Sequence, residues 1–437
     1  MDKELAEWKN STNRKPLLLH GVRQAGKTTT VRELSRQFDY FIEINFEHDD
    51  REAAVRRIFK RGLTPRQMCS ELSQIYKTPV VPGRTLLFLD EIQFCLPAFS
   101  LLNYFYEDYP ALHVVAAGSL LSFVLQEFPL FGIGRIRSLS MHPFSFGEYL
   151  RAVDKNRLAD ALQDVSPENP CSPALHAQCV RHLIRFMIAG GMPEVVATHV
   201  GGGSWEDCQQ VLDNSIHVLY DDFQKYKSRM PASRLHEVLV SVVHQTGGKF
   251  NYSKASRNSN FHQIKDCIRQ LELGGIIYPV THTSAGGFPL TAGMNAKFRK
   301  YLIMDTGIYH RILRQDLKQL LASENPEYVN KNSLAELFVG LELLKAAPAD
   351  RPAQLYYWQN ERQGNPDEVE YVVQRQTQII PVEVKPGTKS AGQSMLQFLT
   401  EKGYAYGIRC TLENFDSYHR YVKNYPLYAA AKIGGQD

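Results

Sequence analysis

Short apolar runs of strand length recur along the first 140 residues. Leu17–His20, Phe41–Phe46, Leu86–Asp90, His113–Ala117 and Ile136–Ser140 read as buried strands, and helical segments separate them. That alternation predicts an α/β unit built on a parallel sheet. A Pro-rich stretch, Ser166-Pro167-Glu168-Asn169-Pro170, interrupts the pattern. Helical spacing then returns over Ala174–Ala197, with Val180, Leu183, Ile184, Met187 and Ile188 on one face, and again over Trp205–Tyr226. From Pro231 the pattern changes. Leu235, Val238, Leu239, Val242 and Val243 form one helical stripe, and Phe261, Ile264, Ile268, Leu271 and Leu273 mark a second helix. Gly274-Gly275 ends the second helix, and Ile276–Val280 follows as a strand. The last part reads as a helix over Asn332–Lys345 and strands over Leu355–Trp358, Glu368–Val373 and Ile379–Lys385. A helix over Ser390–Thr400 and a strand over Tyr404–Arg409 complete it.

The polar positions that close these strands carry the chemistry. Directly after the first strand comes Gly21-Val22-Arg23-Gln24-Ala25-Gly26-Lys27-Thr28, the G-x-x-x-x-G-K-T phosphate-binding loop, with Thr29 beside it. The two glycines let backbone N–H groups turn inward, and the helix that follows adds the positive end of its dipole. Lys27 is expected on the β- and γ-phosphates of ATP, and the Thr28 hydroxyl on Mg²⁺. The third strand ends in Asp90-Glu91. Asp90 is the expected second Mg²⁺ ligand, and Glu91 is the group expected to orient an attacking water. Ser119, after the fourth strand, is a candidate sensor of the γ-phosphate, or a helix N-cap. Arg135 and Arg137 are candidates for charge supplied to a transition state, in the same or a neighbouring subunit, or are solvated surface arginines. Homo-oligomerisation is left open on these grounds.

Taken together, G-V-R-Q-A-G-K-T, F-L-D-E-I-Q, A-A-G-S, the G-R pair at Gly134-Arg135 and P-F-S-F-G-E-Y resemble the AAA-type ATPases of bacteria and archaea that carry a conserved C-terminal domain of unknown function. Gly190-Gly191-Met192-Pro193-Glu194 is a further typical element, placed in a helical lid. The resemblance implies ATP binding and hydrolysis. The expected organisation is an AAA-like P-loop core over residues 1–165, a helical lid over 166–230, a winged helix-turn-helix over 231–315 and a nuclease-like α/β domain over 316–437.

The last of these rests on its own residues. Glu368 and Glu370 share a strand face by the period of two, and so do Glu383 and Lys385 on the next strand. An acid followed by E-x-K resembles the PD-(D/E)xK restriction-endonuclease-like fold. The resemblance implies that Glu370 and Glu383 hold Mg²⁺, that Lys385 stabilises developing charge, and that Glu336 is a supporting acid on a helix. The sequence departs from that pattern in having Glu370 where Asp is usual. An inactive nuclease-like scaffold therefore stands beside an active enzyme.

Composition constrains partners. The 437 residues are 43% hydrophobic and 22% charged, which excludes disordered, collagen-like and disulfide-scaffold classes. At roughly 150 residues per domain, about three domains are expected. The seven cysteines include no C-x-x-C pair, no apolar run reaches membrane-spanning length, and the first residues lack the apolar core of a signal peptide. These features predict a cytoplasmic protein with no membrane partner. Lys and Arg number 50 against 46 Asp and Glu, a net charge of +4. Residues Pro231–His310 contain nine bases and four acids, so the basic excess sits in the expected winged helix. That segment is a candidate for binding double-stranded DNA, or a packing module between domains.

Overall fold

The computed structural model describes residues 1–47, 52–119, 121, 134–225, 230–322, 332–351, 353–360, 367–387 and 392–435. Gly132 and Ile133, the stretch after Leu121, Tyr226, and Ser390 at an expected helix start lie outside them. The chain forms two compact units. One comprises Met1–His142 with Ala349–Pro352, and the other Pro143–Pro348 with Ala353–Asp437.

In the first unit, β1 (Leu17–Gly21), β2 (Tyr40–Asn45), β3 (Thr85–Asp90), β4 (His113–Gly118) and β5 (Arg137–Met141) form a parallel sheet of order β2-β3-β4-β1-β5. The five strands coincide with the five apolar runs of the sequence. Both faces are covered, which is why the runs are nearly continuous in hydrophobicity. Leu18, Leu87, Leu89, Val114 and Ala116 point to one core, completed by α3 (Glu52–Lys60), α4 (Pro65–Tyr76) and α5 (Leu96–Asp108). Leu17, Leu19, Leu86, Phe88, Val115 and Ala117 point to the other, where Leu5 and Trp8 of α1 (Asp2–Asn10) and Val31 and Leu34 of α2 (Lys27–Ser35) pack. Parallel register brings Gly21, Asn45 and Asp90, the last residues of β1, β2 and β3, to one edge of the sheet.

The second unit begins with α6 (Phe146–Ala152), α7 (Asn156–Asp164), α8 (Pro173–Ala189), α9 (Pro193–Val200) and α10 (Trp205–Lys225). The helical run expected over Ala174–Ala197 is broken between α8 and α9. Gly190 adopts φ 81°, outside the helical region, and Pro193 starts a new helix at its first turn. Then come α11 (Ala232–His244), α12 (Phe261–Leu273) and the antiparallel hairpin of β6 (Ile277–Thr283) and β7 (Met294–Ile303). The order helix, helix, hairpin agrees with the sequence pattern.

The hairpin does not stand alone. It forms one end of an eight-stranded sheet of order β12-β13-β11-β10-β9-β8-β6-β7. β6 runs parallel to β8 (Leu355–Gln359), which pairs with β9 (Glu368–Arg375), which pairs with β10 (Gln378–Val384). Beyond β10 lie β11 (Gly407–Thr411), β13 (Val422–Pro426) and β12 (Asp416–His419). Neither β12 nor β13 was expected from the sequence. The last expected strand starts at Gly407 rather than Tyr404, because the helix Gln393–Lys402 ends on Gly403 in the left-handed region and Tyr404 still bonds back to Leu399. Between the hairpin and β8 lie α13 (Thr306–Ile312), α14 (Leu317–Ala322) and α15 (Asn332–Lys345).

Candidate functional site

The loop after β1 is shaped by its glycines. A side chain on Gly21 would place its Cβ 2.0 Å from the Met141 carbonyl oxygen of β5. Gln24 and Gly26 both take positive φ, 63° and 91°, and Gly26 is the N-cap of α2. Buried Val22 and Ala25 anchor the loop from within, and Thr29 is exposed on its outer side. Lys27, only 6% exposed, donates from Nζ to the carbonyls of Gly21 (3.0 Å) and Val22 (2.9 Å). Burial pushes its pKa down to about 8, against the opposing pull of Glu91 and Asp90. Arg23 is tied to Glu47 at 3.0 Å.

Asp90 is 2% exposed and stands opposite the loop. Its Oδ2 accepts from the Thr28 hydroxyl at 2.9 Å and from Asn45 Nδ2 at 3.5 Å, and its Oδ1 from the Glu91 N–H at 3.0 Å. Desolvation raises its pKa to about 6, with the Thr28 hydrogen bond opposing. Two hard oxygens, one of them on a carboxylate that burial leaves short of counter-charge, suit a small divalent cation such as Mg²⁺. Glu91 occupies the left-handed region at φ 49°, which turns its side chain off the strand at a cost of about 1 kcal/mol or more. There Oε2 accepts from Gln93 Nε2 at 2.5 Å and from the Ser119 hydroxyl at 3.4 Å. Gln93 in turn lies where a Cβ on Gly118 would fall, 2.1 Å from Gln93 Oε1.

The loop, Asp90, Glu91 and Ser119 thus gather at one edge of the sheet. Asn45 and Gln93 belong there too, and the sequence reading missed both. Asn45 carried a signal, as the polar residue closing a half-apolar strand. Arg135 and Arg137 are held elsewhere in the unit. Arg137 opens β5 beside Leu17, four strand residues from Gly21, and pairs with Glu4. Arg135 pairs with Glu107 at 2.7 Å.

In the second unit, Glu370, Glu383, Lys385 and Glu336 also come together. Lys385 Nζ lies 2.6 Å from Glu370 Oε1, and the Val384 N–H donates to Glu370 Oε2 at 3.2 Å. Glu383, 2% exposed, faces Arg409 of β11 at 3.9 Å and accepts from the Gly392 N–H at 3.2 Å. Glu336 of α15 bonds Lys300 of β7 at 2.7 Å, and Lys300 also pairs with Glu368. Burial raises the Glu336 pKa to about 7, with Lys300 opposing and Glu370 reinforcing. The Glu383 pKa is raised by burial and by Glu370. Lys300 and Arg409 were missed in the sequence, where each is one basic residue inside an ordinary strand. Among the described residues, no group of three or more His, Cys, Asp or Glu side chains is arranged to hold a metal ion. All seven cysteines are free and buried, and no described helix is long and apolar enough to cross a membrane.

Comparison with known proteins divides the chain in three. Residues 13–150 match a family described as AAA domain. Residues 180–319 match the domain of unknown function DUF8612, and residues 331–428 match the domain of unknown function DUF4143. No curated protein matches the chain. Among solved structures, a Walker-type ATPase of Pyrococcus abyssi is similar at 15% identity and a TM-score of 0.47, covering 72% of this chain and 95% of its own. The Orc1 protein of Aeropyrum pernix in complex with DNA is similar at 17% identity and a TM-score of 0.27, with 75% and 91% covered. A signal-transduction ATPase with a tetratricopeptide-repeat sensor from Pyrococcus horikoshii reaches 12% identity and a TM-score of 0.26, with 80% and 46% covered. The match to the AAA domain family spans β1 to β5 and ends inside α6, so it falls on the parallel sheet that carries the phosphate-binding loop.

Proposed function

We propose that the first unit binds Mg·ATP and hydrolyses it. The observation that carries this reading is the Thr28 hydroxyl meeting Asp90 at 2.9 Å, directly beside Lys27 and the inward-turned loop. The backbone from Gly21 to Thr29 cradles the phosphates. Lys27 exchanges two neutral carbonyls for the β- and γ-phosphate oxygens, which restores full charge to an amine that burial weakens. Thr28 and Asp90 hold Mg²⁺, which when bound neutralises phosphate charge. Glu91 orients the attacking water, and Gln93 and Ser119 fix its carboxylate. Arg135 or Arg137, in the same or a neighbouring subunit, serves as the charge-supplying arginine by leaving its partner Glu107 or Glu4. ATP turnover tests the reading. Glu91→Gln is expected to lower kcat by a factor of about 10² to 10⁴ while leaving ATP binding intact. Lys27→Ala is expected to weaken both. Unchanged turnover in both variants would overturn it.

The second unit, in this reading, engages double-stranded DNA or a protein partner through α11, α12 and the β6–β7 hairpin, used as a winged helix-turn-helix. The nucleotide state of the first unit switches that engagement. The C-terminal sheet is a PD-(D/E)xK-like scaffold that does not cut. What favours a scaffold over a nuclease is that Lys385 and the Val384 N–H take up Glu370, while Arg409 and the Gly392 N–H take up Glu383. Duplex DNA retained in gel shifts without Mg²⁺-dependent cleavage is the expected result. Cleavage that disappears in Glu383→Ala would reinstate the enzyme.

A further inference from the structure

A cavity of about 390 Å³ opens among three helices of the second unit, far along the chain from the phosphate-binding loop. Its lining follows helical spacing. Helix α8 contributes Ala177, Val180, Arg181, Ile184 and Arg185, all on one face; α14 contributes Lys318, Leu321 and Ala322; and α10 contributes its first residue, Trp205. The volume lies in the range of small-ligand sites, roughly 300–1,000 Å³.

Its chemistry is two-sided. Val180, Ile184, Leu321 and the half-buried Trp205 indole make an apolar wall. The indole is held flat by His199, stacked at 4.2 Å between centroids and 21° between planes. Three cations line the same cavity, two of them on the helix face that carries Val180 and Ile184. Lys318 pairs with Glu206 and feels Asp316 more weakly. Arg181 and Arg185 have no carboxylate partner among the described residues, and α8 carries no acid anywhere along its length. Arg185 instead faces His182 and His199, whose pKa values are lowered by burial first and by this arginine second, so neither ring competes with it as a charged group. Two arginines one helical turn apart, with no carboxylate partner among the described residues, are a poor arrangement for stability alone. They are a good one for an anion, since the planar fork matches phosphate oxygens two at a time.

We infer that this cavity binds a small phosphate monoester carrying a flat ring, of nucleoside-monophosphate size, with the phosphate on Arg181 and Arg185 and the ring against Trp205. Such a ligand has no β-phosphate for Lys27 to reach, so this site and the ATP site are separable. An apolar wall and two guanidinium groups in one cavity match the ligand on both of its halves, which neither inorganic phosphate nor a free nucleoside does. Aromatic stacking and charge-assisted hydrogen bonds supply the affinity.

Equilibrium titration of the full chain with AMP and phenyl phosphate, each monitored by calorimetry, tests the inference. Saturable binding at one site is expected. Arg185→Gln and Trp205→Leu should each weaken it at least tenfold, as should Arg181→Gln at an exposed position. Lys27→Ala should leave it unchanged. Inorganic phosphate and adenosine should each bind at least tenfold more weakly than AMP. Absence of saturable binding, adenosine binding as tightly as AMP, or binding that is lost in Lys27→Ala but kept in Arg181→Gln would each overturn it. Failure here would leave the ATP site untouched, because that site is read by turnover in Glu91→Gln.

Discussion

At Asp90, function and stability pull in opposite directions. Its carboxylate must be ionised to hold Mg²⁺, yet burial raises its pKa to about 6. The ionised form is therefore disfavoured in the folded chain relative to the unfolded one, where a carboxyl titrates near 3.9. The sign follows from linkage. A folded-state pKa above the unfolded value means the native state binds the proton more tightly, so the unit loses stability as pH rises from about 4 to about 6. A hundredfold tighter hold on the proton corresponds to about 3 kcal/mol lost by neutral pH. Asp90→Asn keeps an acceptor for Thr28 and removes the charge. It is expected to raise the unit's stability to urea by about 1–3 kcal/mol at pH 7 and to leave it nearly unchanged at pH 4, while abolishing ATP turnover. Equal stability of the two proteins at pH 7 would contradict this account. The Gly21–Thr28 spacing and the Asp90–Glu91 pair were legible in the sequence because the chemistry needs those residue types in that order. Gln93 was not, because an amide that holds a carboxylate in place is identical in sequence to one that faces water, and Asn45 was marked only by its place at the end of a strand.

Among the elements, the joint between α8 and α9 shows why a periodic apolar pattern overran its true end. Asp305, fully buried, sits just before α13 and accepts from three backbone N–H groups. Oδ1 caps the helix through Gly307 (2.8 Å) and Ile308 (3.1 Å), and Oδ2 takes the Gly191 N–H at 2.7 Å. A Cβ on Gly190 would lie 2.1 Å from Asp305 Oδ1, and one on Gly307 would lie 2.3 Å from the Ala189 carbonyl oxygen. The Gly190-Gly191-Met192-Pro193 stretch is thus shaped by a carboxylate more than a hundred residues away, which no local pattern contains. The β12 and β13 strands escaped the sequence reading for a related reason. They are short strands at one end of the sheet, and Val422, Asn424 and Pro426 alternate inward without forming an apolar run. Asp305→Ala would leave three buried N–H groups without their acceptor. It is expected to destabilise the second unit by about 3–5 kcal/mol, read as an earlier chemical-denaturation midpoint. Gly190→Ala, strained at φ 81° as well as crowded, should act in the same direction. A loss below about 1 kcal/mol in Asp305→Ala would mean that water replaces the carboxylate at no cost.

Over the whole molecule, the near-neutral charge hides a partition that the sequence located only in part. Nine bases fall between Pro231 and His310. Folding withdraws some of them from the surface. Lys300 is buried, 1% exposed, between Glu336 and Glu368 beneath the Tyr357 ring, and half-buried Arg299 pairs with Glu272 at 3.2 Å. Arg234 is half-buried, Lys249, Lys254, Arg257, Lys265, Arg269 and Lys297 remain exposed, and Lys249 lies over the Phe298 ring at 3.3 Å. A linear charge count treats all nine alike, because burial is a property of the sheet that β7 joins and not of the segment itself. This difference fixes the strength of the expected DNA contact. Each phosphate neutralised contributes about −0.9 to the slope of log K against log salt, so six exposed bases limit that slope to about −5, where nine would allow about −8. Binding to a short duplex, followed by anisotropy across a salt series, is expected to fall within the smaller limit. Lys254→Glu combined with Arg257→Glu should flatten the slope by about 2, whereas Lys300→Met should leave it unchanged and instead destabilise the fold, by stranding two acids. A slope steeper than about −5 would require cations outside this segment, and no salt dependence at all would leave the helix–helix–hairpin as a packing element of its own unit.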